Sequence, residues 1–111
     1  MIENLQNLEE FNSKLSIPNK LIIIDFTAQW CGPCQRISPF FEELSNKDEF
    51  LTKCHFYKVD VDEGNDIAEY CGINSMPTFQ FYRNGEKLDE MIGADKNKLE
   101  NIINSILSQS C

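Results

Sequence analysis

The stretch LIIIDFTA, residues 21–28, constrains the fold of this chain more than any other. Ile22, Ile24 and Phe26 make one of its alternating faces apolar, and Leu21 and Ile23 make the other apolar. A strand with no polar face has to be covered on both sides, as happens inside a helix-covered parallel sheet. The same stretch holds an acid, Asp25, on the face of Leu21, Ile23 and Thr27. A carboxylate buried there is costly unless it is paired or protonated, and burial raises its pKa. Asp25 is therefore either an acid on a locally solvated face or a proton acceptor for a group above the strand.

The rest of the chain supplies the cover. Asn7 followed by Glu10 has the pattern of a capping box, with Leu8, Phe11 and Leu15 at helical spacing and Pro18 closing the segment. Ile37, Phe40, Phe41 and Leu44 form the stripe of a second helix. Pro39 falls inside it and predicts a kink rather than two helices. CHFYKVDVD, residues 54–62, reads as a strand, and Asn65 or Asp66 is placed to cap a short helix ending at Gly72. Asn84-Gly85 marks a hairpin between two strand-like runs. Asp95 then caps a last helix carrying Leu99, Ile102, Ile103, Ile106 and Leu107. Right-handed strand–helix–strand crossovers make the first strands parallel, and the hairpin adds an antiparallel pair. The expected architecture is an α/β mixed sheet with helices on both sides.

Length and charge set limits on function. The 111 residues carry no repeat, low-complexity tract or linker, so one domain over residues 1–111 is expected. Net charge is −8, with no basic cluster to follow a phosphate backbone or an anionic membrane, which argues against nucleic acid and lipid as partners. The longest aliphatic run, Leu21 to Ile24, is far too short to span a bilayer. The acidic start MIENLQNLEEF is unlike a secretory signal, so the chain reads as cytoplasmic.

WCGPC, residues 30–34, follows the buried strand. Five cysteines without an export signal make a poor disulfide framework, because the cytosol keeps ordinary thiols reduced. A zinc clip needs four ligands, and Cys54, Cys71, Cys111 and the single His55 do not have the spacing to complete one. A reactive pair fits better. Cys31 stands where a helix begins, and unpaired N–H groups and the positive end of the macrodipole favour a thiolate there. Cys34, one turn on, can reach its sulfur. Pro33 costs nothing in a first turn, and Gly32 leaves the approach open. The candidate catalytic residues are Cys31, Cys34 and Asp25.

DFTAQWCGPCQRISP, KVDVDE, SMPTFQFYRNG and GADKNKLE together resemble the thioredoxin family over nearly the whole chain. The resemblance implies the thioredoxin fold, with a mixed five-stranded sheet flanked by four helices and a cis bond between Met76 and Pro77. It implies a protein-disulfide reductase in which Cys31 attacks and Cys34 resolves, forming a Cys31–Cys34 disulfide. Gly-Pro between the cysteines resembles the reducing branch of that fold. Trp30, Ile73, Met76, Pro77, Gly93 and Ala94 would form the substrate-docking rim. Asp25, Gly32, Pro33 and Lys58 would tune the cysteine pKa values, although Lys58 also reads as an exposed strand lysine. No bound cofactor is implied. Electrons would come from NADPH through thioredoxin reductase, and the targets would be disulfide-containing proteins such as peroxiredoxins and other reductases. Cys71 resembles a regulatory thiol of some members, with a buried core cysteine as the alternative. Cys111 could join two otherwise monomeric chains by a disulfide, as could Cys71. A non-catalytic binding subunit on the same fold is the rival function.

Overall fold

Leu21 through Phe26 are each no more than 1% exposed in the computed structural model, which describes residues 2–109. They belong to β2 (Leu21–Thr27), the middle strand of a five-stranded sheet. The other strands are β1 (Glu3–Asn4), β3 (Cys54–Asp60), β4 (Thr78–Arg83) and β5 (Glu86–Ile92), in the order β1-β3-β2-β4-β5. β3 runs parallel to both β1 and β2, while β4 is antiparallel to β2 and to β5. The doubly apolar pattern of β2 thus has its cause: the strand is covered on both faces and paired on both edges.

The helices are α1 (Leu8–Leu15), α2 (Gly32–Ser45), α3 (Asp48–Leu51), α4 (Asn65–Cys71) and α5 (Lys96–Gln109). One core packs Leu21 and Ile23 of β2 against Ile37, Phe41 and Leu44 of α2 and Leu99 and Ile103 of α5. The other packs Ile22, Ile24 and Phe26 against Phe11 and Leu15 of α1 and Ile67 of α4. By alternation, Asp25 of β2 and Lys58 of β3 face the α2 side, where their strand neighbours Ile23 and Phe56 lie. Each large aliphatic side chain buried in these layers stabilises the fold by about 1.5–3 kcal/mol.

Most expected elements stand where the pattern put them. Asn7 caps α1, its side chain accepting from the Glu10 N–H, and the Glu10 carboxylate reaches back to the Gln6 N–H. Asp95 accepts from the Lys98 N–H at the start of α5. Asn84 (φ 52°) and Gly85 (φ 83°) both turn left-handed at the hairpin, as a two-residue turn of this kind requires. α2 continues unbroken through Pro39.

Three expectations need correction. The single turn α3 raises the helices among the described residues from four to five. β3 ends at Asp60, two residues earlier than expected. Neither Asn65 nor Asp66 caps α4. Its N-cap is Gly64, buried so closely that an added Cβ would lie 3.2 Å from the Leu5 carbonyl oxygen and 3.1 Å from Val59 Cγ1. Asp66 instead accepts from the Leu8 N–H, and so serves the first turn of α1.

Candidate active site

Cys31 is the N-cap of α2, in extended backbone, and its sulfur accepts a 3.2 Å hydrogen bond from the Cys34 N–H. Pro33 occupies the first turn, where its missing N–H leaves no gap. Cys31 and Cys34 are joined as a disulfide, with Cα atoms 5.3 Å apart. The two are not equivalent: Cys31 is 6% exposed and Cys34 is 1% exposed. Among the described residues only Arg36 Nη1, at 3.5 Å, comes near the place a Cβ on Gly32 would occupy, so they leave the outer side of the motif open. At a helix N-terminus, both the free N–H groups and the dipole stabilise negative charge on the Cys31 sulfur once the disulfide is opened.

The approach to this turn is fixed from behind. The Ala28 carbonyl accepts two hydrogen bonds, from the Cys31 N–H (3.2 Å) and from Gln35 Nε2 (2.9 Å). Gln35 therefore ties the end of β2 to the first turns of α2. Sequence reasoning missed it, because an exposed polar residue after the motif carries no periodic signal.

Asp25 lies in the layer below. It is 1% exposed, and neither carboxylate oxygen has a hydrogen-bond partner among the described residues. Burial pushes its pKa up from the ordinary 3.8 to about 7, against a smaller downward pull from Lys58. Lys58 pairs with Asp25 in register on the adjacent strand, but its ammonium donates to Ser38 Oγ of α2 at 2.6 Å. It is half-buried, not the exposed strand lysine of the alternative reading.

Of the expected rim residues, Met76 packs against Cys31 from a distant part of the chain. Trp30 is 67% exposed, and its indole N–H donates to Asp62 at 2.9 Å. Asp62 in turn donates its backbone N–H to the Asp60 carboxylate. The Met76 carbonyl oxygen stands 3.7 Å from Cys31 Sγ, and the Met76–Pro77 bond is cis. The Pro77 carbonyl accepts from the Gly93 N–H at 2.9 Å, which brings the end of β5 beside the proline turn. Gly93 adopts φ 109°, a conformation that favours glycine, and Ala94 is exposed beside it. Pro77 itself is buried, so the turn presents backbone and Met76 rather than the proline ring. Ile73 is half-buried against the α1/α4 core, and Met76 against Cys31 and Cys34. The Asp62 contact was not legible, since it joins positions 32 residues apart.

Two further thiols lie away from this turn. Burial pushes Cys54 up to about 11 and raises Cys71, which sits half-buried at the end of α4. Cys111 lies outside the described residues. Among the described residues, no three His, Cys, Asp or Glu side chains are grouped to hold a metal ion. No helix among them is long and apolar enough to cross a membrane.

Comparison with known proteins agrees with this geometry. The family profile described as thioredoxin matches residues 3–105. Thioredoxin of Ictalurus punctatus is 46% identical over 105 residues, covering 94% of this chain and 97% of that protein. Thioredoxin of Coprinus comatus is 48% identical over 108 residues, covering 97% of this chain and all of its own. A solved structure of Plasmodium falciparum thioredoxin superposes with a TM-score of 0.85 at 43% identity, covering 94% of this chain and 98% of that one.

Proposed function

Because the chain belongs to the thioredoxin family and is a disulfide reductase working by dithiol–disulfide exchange, we propose that Cys31 is its attacking thiolate and Cys34 its resolving thiol. The observation that carries this assignment is the position of Cys31 as helix N-cap, the more exposed of the two residues and the one whose sulfur already accepts a backbone N–H. In the reduced protein the Cys31 thiolate attacks one sulfur of a target disulfide. A Cys31–target bond forms, and the second target sulfur leaves as a thiolate. Cys34 is then deprotonated with help from Asp25, which takes up its proton through a water, and attacks Cys31, forming the Cys31–Cys34 bond and releasing the reduced target. The two electrons have moved from the dithiol to the target.

Asp25 suits this role because a carboxyl near 7 is part ionised at neutral pH and so free to accept a proton. Lys58 tunes it, and Gly32 and Pro33 keep the first turn open and compact. Trp30, Ile73, Met76 and Ala94 offer apolar contact to an extended target segment, and the backbone at Pro77 and Gly93 offers hydrogen bonds. Thioredoxin reductase, drawing on NADPH, regenerates the dithiol. The targets are disulfide-bearing proteins such as peroxiredoxins and other reductases, and the work is done in the cytoplasm.

The test is a trapping experiment. Reduced Cys34→Ser protein mixed with a disulfide-bonded target should accumulate a covalent complex through Cys31 that dithiothreitol dissolves. A complex that forms through Cys34 in the Cys31→Ser protein instead would reverse the assignment.

A further inference from the structure

Asp25 and Lys58 are direct partners in the parallel β2–β3 register, and both point to the α2 side of the sheet. An acid and an amine so placed would ordinarily pair. Here they do not, since both Asp25 oxygens are without a hydrogen-bond partner among the described residues while the Lys58 ammonium binds Ser38 Oγ at 2.6 Å. Ser38 sits on α2 one turn after Cys34. The ammonium is held on a neutral hydroxyl of the helix rather than on the carboxyl of the strand.

We propose that Ser38 is a positioning residue: it anchors the Lys58 ammonium on α2, keeps that charge off Asp25, and so sets the pH at which Asp25 takes up a proton. The inference rests on the reading of Asp25 as proton acceptor for Cys34.

The surroundings fix the direction of the effect. β4 sets apolar Phe79 opposite Asp25, and α2 and its N-cap carry Cys34 and Cys31, which do not titrate while joined as a disulfide. Lys58 is the charged group that pulls Asp25 downward against its burial. On its outer side Lys58 shares a cleft of about 230 Å³ with Asn4, Gln35, Ser38, Asp60 and Glu63. Attraction to Asp60 and Glu63 is weakened by the open solvent of that cleft, whereas attraction to a buried carboxylate is not. Without the Ser38 hydroxyl, the ammonium moves toward Asp25.

The experiment is a pH titration of the Asp25 carboxyl carbon by NMR in the oxidised protein, which needs no turnover. Wild type, Ser38→Ala, Ser38→Thr and Lys58→Met are compared. The Asp25 midpoint should fall by about one pH unit in Ser38→Ala, stay within a few tenths in Ser38→Thr, and rise in Lys58→Met. An unchanged or higher midpoint in Ser38→Ala overturns the proposal, as does a Ser38→Thr midpoint as low as that of Ser38→Ala. Because the trapping experiment reads the cysteines and this one reads the carboxyl, failure of either is recognised separately. Agreement should carry over to the reduced protein with both cysteines present, where the lower limb of the pH profile for turnover of a target disulfide shifts down in Ser38→Ala and not in Ser38→Thr.

Discussion

Asp25 stands among side chains that its neighbours in β2 make almost entirely hydrocarbon, and no hydrogen bond from the described residues offsets that burial. Moving its pKa from 3.8 to about 7 means that the folded state resists ionisation over that interval while the unfolded chain does not. The stability linked to Asp25 is therefore complete below 3.8 and is lost as pH rises through about 7. Over about three pH units the loss is about 4 kcal/mol. Asp25→Asn should accordingly be more stable than wild type at pH 8.5 by up to about 4 kcal/mol in urea denaturation, with the gain vanishing near pH 4. A gain of equal size at both pH values would mean that ionisation of Asp25 is not its cause. The Asp62 carboxylate acts on a different residue, by holding the exposed indole of Trp30 beside Cys31. One hydrogen bond is worth about 1 kcal/mol net, so Asp62→Ala should lower kcat/KM toward a protein disulfide by about fivefold. The lone tryptophan gives a clean second readout, since its fluorescence anisotropy should fall in the same variant.

The elements bring these residues together through short contacts that a sequence does not display. Gly64 lets the β1–α1 connection pass within van der Waals distance of the start of α4. Gly64→Ala pushes a methyl group against the Leu5 carbonyl and Val59, and should cost about 1–3 kcal/mol of stability by chemical denaturation while the folded fraction keeps its activity. The long periodic elements were legible. β2, α2 and α5 have strong apolar patterns, Asn7 and Asp95 are caps of the expected type, and Asn84-Gly85 fixed its own turn. The short ones were not. β1 has two residues and α3 has four, too few for any period to show, and each exists because the sheet edge or the α2 core holds it. Asp66 misled for a physical reason. An acid ahead of an apolar run reads as a local cap, but here its oxygen serves the N-terminus of α1, 58 residues earlier in the chain.

On the scale of the whole molecule, the site is a meeting of loops at one end of the sheet. β2 delivers Cys31 and Trp30, β3 leads to Asp60 and Asp62, and the chain before β4 brings Met76 and Pro77. Gly93, after β5, closes on Pro77. The identity of the dithiol was legible from five letters after a buried strand, because a helix start and a one-turn spacing follow from local rules. The proposed rim rests on the resemblance alone, since no spacing rule links Trp30, Met76 and Gly93. Lys58 was placed correctly beside Asp25, but its attachment to Ser38 depends on how α2 lies across the sheet. The central claim is that this assembly turns over target disulfides with Cys31 as nucleophile. Its most direct test is the rate of insulin disulfide reduction driven by dithiothreitol, with wild type set beside Cys31→Ser. The account predicts fast reduction by wild type and a rate no greater than that of the reductant alone with the variant. Equal rates for the two proteins, or no acceleration by folded wild type, would contradict it.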